Sequence, residues 1–163
     1  ATKPAAVLVP VVARPTPQVL LTQRTPELKS HSGQIAFPGG RIEPGEGPLA
    51  AALREAYEEV GLDAKYVQPI GYLDLYLTFS GFRILPLVAH VDPDYAMTVN
   101  PSEVADAFEV PLEFLMAPGN HQRLKRDWNG IERQYYAMPF GERYIWGVTA
   151  GILRNLYERI YAG

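Results

Sequence analysis

Residues 37–62, FPGGRIEPGEGPLAAALREAYEEVGL, restrict the fold more than any other stretch of the chain. Seven of the first twelve residues are glycine or proline, and an unbroken run of helix formers follows. Gly47 can cap that helix, and Pro48 suits its first turn, where a missing N–H costs little. Gly61 supplies the stop. Between them Leu49, Leu53, Ala56 and Val60 recur at helical spacing within about 60° of one another, a narrow apolar stripe turned to a core. A helix over 48–60, docked by one side and entered through a stiff loop, is the expectation.

The same helix concentrates charge. Glu55, Glu58 and Glu59 project away from the apolar stripe, and Glu55 and Glu59 lie about 40° apart around the axis, one turn apart along it. Like charges at this spacing destabilise a helix by a few tenths of a kcal/mol per pair (~0.2–0.5). Arg54 can neutralise one of them. A solvated acidic face is one reading. The other is a cation site, because hard oxygen ligands from one helix suit Mg2+ or Mn2+. On the second reading the loop has a purpose. Gly39 and Gly40 let backbone approach a ligand closely, Pro38 and Pro44 stiffen the path, and Glu46 sits where it could bond the first helical amides.

The rest of the chain reads as strands with two more helices. AAVLVPVVAR and QVLLTQR are strand-like segments separated at Pro15 and Pro17, and GQIAF is a third. Residues 66–78 and 82–92 form a strand pair around a turn at FSG. HQRLKRDW and IERQYYAMPF flank Asn129-Gly130, a strong hairpin signal. NPSEVADAF, with Pro101 and Ser102, reads as a short helix start. Ile145, Val148, Ile152, Leu156 and Ile160 mark a C-terminal helix. Strands with helices on either side give an α/β sandwich. At 163 residues one domain, 1–163, is expected.

The formal charge of −3 leaves no basic surplus for nucleic acid or an anionic membrane. The apolar run at 5–13 is too short to span a bilayer and is broken by Pro10. The absence of cysteine excludes disulfides and thiolate metal sites and fits a reducing, cytoplasmic location. The chain starts almost on a strand, so an N-terminal extension is expected in the natural protein.

With Gly40, Glu46, Arg54, Glu55, Glu58, Glu59, Gly61 and Leu62 in register, residues 40–62 resemble the Nudix box. The box reads G, five residues, E, seven residues, then R-E-U-x-E-E-x-G-U, where U is a bulky aliphatic. Ala56, at the first U, is the single departure. Upstream, LLTQRTPELKSHSGQIAFPGG (20–40) resembles the motif of the coenzyme A pyrophosphatase branch, with Lys29 where arginine is more usual. SGFRILPLVA, NPSEVADAFEVPLEFL and IWGVTAGIL resemble that branch with less specificity.

The resemblance implies an α/β/α sandwich with a mixed β-sheet between helices, and hydrolysis of a nucleoside diphosphate linked to another moiety. In this branch that moiety makes coenzyme A. Glu55 and Glu59 would be the principal metal ligands, and Glu58 a further ligand or the water-activating base. Arg54 would orient a glutamate, and Glu103 would be the extra acid from a later loop. Arg24, Lys29 and Arg41 are the cations expected at the substrate phosphates, with His31, Gln34, Gly39 and Gly40 as further contacts. Tyr76, Phe79 and Phe82 are possible adenine or pantetheine contacts, with core packing as the alternative, and Lys125 with Arg126 is expected on a solvated hairpin face. The implied partner is a small molecule, and a homodimer is compatible. The alternatives are a Nudix enzyme for ADP-ribose or NADH, and a silent Nudix-fold binding module.

Overall fold

The computed structural model describes residues 2–25 and 33–162. In chain order its elements are β1 (Lys3–Val12), β2 (Gln18–Arg24), β3 (Ile35–Ala36), β4 (Gly39–Arg41), α1 (Pro48–Val60), β5 (Val67–Tyr72), β6 (Tyr76–Leu77), β7 (Phe82–Val91), β8 (Val104–Pro111), α2 (Leu112–Leu115), β9 (Gln122–Trp128), β10 (Ile131–Ala137) and α3 (Gly147–Ile160).

β1 is the axis of a mixed sheet. It runs parallel to β7 from Lys3↔Phe82 to Val12↔Val91, and its other edge pairs antiparallel with β4 and then β2. β3 and β8 extend the sheet through β2, and β5 and β6 extend it through β7. Both faces of β1 are covered, which accounts for its nearly continuous apolar sequence. Ala6, Leu8 and Val12 join Ala52, Ala56 and Val60 of α1 in one core, while Val9 joins Ile152, Leu153 and Leu156 of α3 in the other. The layers are α/β/α, as the sequence implies.

Pro10 does not break β1. Leu8 donates its N–H to Pro38 on the β4 side, and residue 10 faces the same way. The missing N–H therefore falls beyond β4, which covers residues 5–7, and before β2, which covers 11 and 12.

Several segments depart from expectation. Residues 104–111 form β8 instead of extending a helix. Val104 and Val110 are buried, and the segment pairs with β2 from Gln18↔Pro111 to Arg24↔Val104. Pro101 and Ser102 build a turn in which the Asn100 side chain accepts from the Ser102 amide, at 3.2 Å. Residues 66–78 divide into β5 and β6, with a register shift between Pro69 and Gly71. The tail helix begins only at Gly147, leaving Ile145 buried ahead of it, and Ile160 is exposed. The glycine loop is partly strand, because Gly39–Arg41 pairs with Ala5–Val7.

Candidate active site

The helix ends are as the residues dictate: Pro48 opens α1 behind Gly47, and Gly61 closes it at φ 70°, donating its N–H to the Tyr57 carbonyl. Its orientation differs from the sequence reading. The buried arc runs through Ala51, Ala52, Ala56, Glu59 and Val60, and Leu49 and Leu53 are only half-buried. Glu59 thus turns inward and is 3% exposed, Glu55 is half-buried, and Glu58 remains exposed.

β4 determines where Glu55 lies. A Cβ on Gly40 would stand 2.5 Å from the Glu55 Oε2 atom, so only glycine lets that carboxylate rest on the strand. Gly39 packs as closely on β1, where a Cβ would meet the Ala6 carbonyl oxygen at 2.5 Å.

Arg54 ties loop and helix together. Its Nε and Nη2 donate to the two oxygens of Glu46 at 2.8 and 3.0 Å, its Nη1 to Glu55 at 2.7 Å, and its Nη2 to the Arg41 carbonyl at 3.1 Å. Glu58 is a weaker partner, at 3.5 Å. Arg54 is therefore a positioning residue, and the fork geometry of its guanidinium is needed for it. Glu46 does not bond the first helical amides. It accepts from Arg54 and from the Glu43 amide, which together hold its carboxyl down at about 2.

Glu55 and Glu59 form a hydrogen-bonded carboxyl pair, and burial raises both above the usual carboxylate range. For Glu59, burial is reinforced by Glu55 and by the charge of Glu103, and is opposed by Arg24. Arg24 and Glu103 are thereby both within electrostatic reach of Glu59. The loop before β8 is anchored there: the Asn100 amide donates to the Glu59 carbonyl at 2.9 Å, and the Thr25 amide to the Glu103 carbonyl at 3.1 Å.

Among the described residues no three carboxylate or imidazole groups converge as a ready-made metal cage. What is assembled is the Glu55–Glu59 pair. Two acids that can share a proton, at a site where both cannot ionise without repulsion, suit a divalent cation in the proton's place. Mg2+ in particular is held by one or two carboxylates with water and substrate phosphates completing its shell. The donor set fits that ion.

A cleft of about 270 Å3 is lined by Arg24, Gln34, Gly39, Gly40 and Arg41 together with Phe82 and Trp146, and it approaches the pair through Gly40, which packs on Glu55. The Arg24 Nε is buried with no hydrogen-bond partner among the described residues. Lys29 and His31 lie outside the described residues. Tyr76 lines a different pocket with Arg123 and Arg154, and Phe79 is exposed. Trp146 was missed in sequence because it reads as part of the helical pattern that starts one residue later.

The NUDIX domain model matches residues 2–129, most of the chain and all of the Glu55–Glu59 site. The chain belongs to the Nudix family. A Nudix hydrolase of Klebsiella pneumoniae, described as uncharacterized NudL, is 41% identical over 97% of this chain and 83% of its own length. Of solved structures, Deinococcus radiodurans DR0079 superposes with a TM-score of 0.63 at 16% identity, covering 95% of this chain and 83% of that one. A Caenorhabditis elegans Ap4A hydrolase superposes at 0.58 and 20% identity, over 67% of this chain and 80% of its own. These two share the fold. The family membership makes this chain a Nudix hydrolase of a nucleoside diphosphate derivative. No helix among the described residues is long and apolar enough to cross a membrane.

Proposed function

We propose that this Nudix enzyme hydrolyses the pyrophosphate bond of coenzyme A or its derivatives in the cytoplasm, giving adenosine 3′,5′-bisphosphate and 4′-phosphopantetheine or its acyl form. The observation that carries the proposal is Arg24, whose buried Nε has no hydrogen-bond partner among the described residues and whose side chain lines, with Arg41, the cleft that Gly39 and Gly40 also line. Arg24 and the glycines belong to the segment that resembles the coenzyme A branch, and a diphosphate would supply the missing acceptors.

Glu55 and Glu59 would hold Mg2+ or Mn2+, with Glu58 as a further ligand should its side chain swing in. Bound there, the ion would neutralise the diphosphate and lower the pKa of water. Arg24 and Arg41 orient the non-bridging oxygens, and Arg54 keeps Glu55 in place. Water adds to one phosphorus, the bridging P–O bond breaks, and the other phosphate leaves with the electron pair. Glu58, exposed on the helix, and Glu103, within electrostatic reach of Glu59, are the candidates for the base that takes the water's proton.

The test is a panel of coenzyme A, acyl-coenzyme A, ADP-ribose and NADH with Mg2+ present or chelated, products being identified by mass. Coenzyme A substrates should be cut first, and only with metal. ADP-ribose well ahead of coenzyme A would overturn the branch assignment. Binding without any release would favour a silent module.

A further inference from the structure

The hairpin β9–β10 has two unlike faces. On one, Lys125 meets Glu132 at 3.9 Å, an ordinary exposed pairing of opposite charges. On the other, Arg126 stands directly opposite Arg133. Like charges in cross-strand register are unfavourable, and neither arginine has an ion-pair partner among the described residues. Each instead lies over an aromatic ring, Arg133 on Phe79 at 3.8 Å and Arg126 on Trp128 at 5.3 Å. These contacts hold the guanidinium planes while leaving their N–H groups unspent.

The same face leads into the cleft. Trp128 packs on Tyr135 at 5.8 Å, and Tyr135 packs on Trp146 at 5.6 Å. Trp146 lines the cleft with Gly40 and Arg41. Phe79, 64% exposed, ends the run beside Trp128 at 5.9 Å. An aromatic wall therefore connects the diphosphate cleft to two uncompensated cations. Planar rings accept a stacked base, and paired guanidinium groups accept a phosphate.

We propose that Arg126 and Arg133 bind a phosphomonoester carried on the nucleoside end of the substrate, remote from the diphosphate, with its base against the Tyr135–Trp146 wall. This rests on the reading of the cleft as a nucleoside diphosphate site, and it makes the hairpin the element that selects a phosphorylated ribose.

The probes are adenosine 3′,5′-bisphosphate and AMP, titrated calorimetrically against the whole chain with metal chelated, so that turnover plays no part. Charge-assisted hydrogen bonds to one more phosphate should favour the bisphosphate by about tenfold or more. R126Q/R133Q should bring that ratio to within about twofold while AMP binding and melting temperature hold, and K125Q on the opposite face should leave it unchanged. Equal binding of both probes by the unsubstituted chain, or a preference surviving in R126Q/R133Q, overturns the proposal. So does a double variant that only converts a dimer to a monomer in light scattering, since the face would then be an interface between copies. Failure of coenzyme A turnover alone would strike the proposed activity and leave the bisphosphate preference standing.

Discussion

α1 and α3 close opposite faces of one sheet, yet they bury different things. α3 buries Ile152, Leu153 and Leu156, large apolar side chains that fill the space above β1 and β2. α1 buries Ala51, Ala52 and Ala56, small side chains that let it lie close to the sheet, and in the same arc it buries Glu59. At about 0.8 kcal/mol per buried CH2, three alanines contribute far less than the α3 trio. A desolvated carboxyl costs stability besides. The difference teaches that α3 is built for cohesion, and that α1 trades cohesion for the placement of acids.

The comparison breaks first at Glu59. Glu59→Gln should lower turnover at saturating Mg2+ by about a thousandfold, the rate equivalent of ~4 kcal/mol of lost charge stabilisation. Its metal-free melting temperature should not fall, because a neutral amide is easier to bury than a carboxylate. Turnover within tenfold of the starting protein would remove Glu59 from the chemistry. The mirror change is Leu153→Ala, expected to cost about 3 kcal/mol in urea unfolding with kcat of the folded fraction unchanged. A large loss of kcat there would show that α3 shapes the site as well as the core. Gly40→Ala falls between the two helices. Its methyl must displace the Glu55 carboxylate, so turnover should drop by about 10–100-fold, as when a ligand's supporting contact is lost. Equal activity in G40A would mean that Glu55 has freedom to move at no cost.

The parts legible in sequence are those that local chemistry determines. Gly47, Pro48 and Gly61 bound α1 as their backbone preferences require, and Asn129 with Gly130, both at positive φ, turns the β9–β10 hairpin. The Nudix resemblance implied that Arg54 would orient a glutamate without saying which, and its Nη1 donates to Glu55. What could not be read depended on distant partners. Pro101 and Ser102 look like a helix start, but the edge of β2, 80 to 93 residues away in sequence, claims residues 104–111 as a strand. The apolar stripe through Leu49 and Leu53 misjudged the rotation of α1, because β4 packs on the flank that carries Glu55 and the loop before β8 is anchored at Glu59. Lys125 and Arg126, adjacent in sequence, lie on opposite faces of the hairpin, and only the cross-strand register reveals that Arg126 meets Arg133.

The smallest expected effect is a coupling of pH and metal. Burial, reinforced by Glu55, raises the Glu59 pKa above its unfolded value. Between those two values the folded chain holds a proton that the unfolded chain has released, so metal-free stability should fall as pH rises through that window. A divalent cation replaces the proton and offsets the repulsion between Glu55 and Glu59, so its stabilisation should grow over the same range. Melting curves with and without Mg2+ should therefore separate more at about pH 8 than at about pH 6. Glu59→Gln should flatten the dependence, and Leu153→Ala should lower every curve without changing their spacing. An Mg2+ increment that is the same at both pH values would mean that metal and proton do not compete for the Glu55–Glu59 pair, and α1 would then have no advantage over α3 in burying an acid.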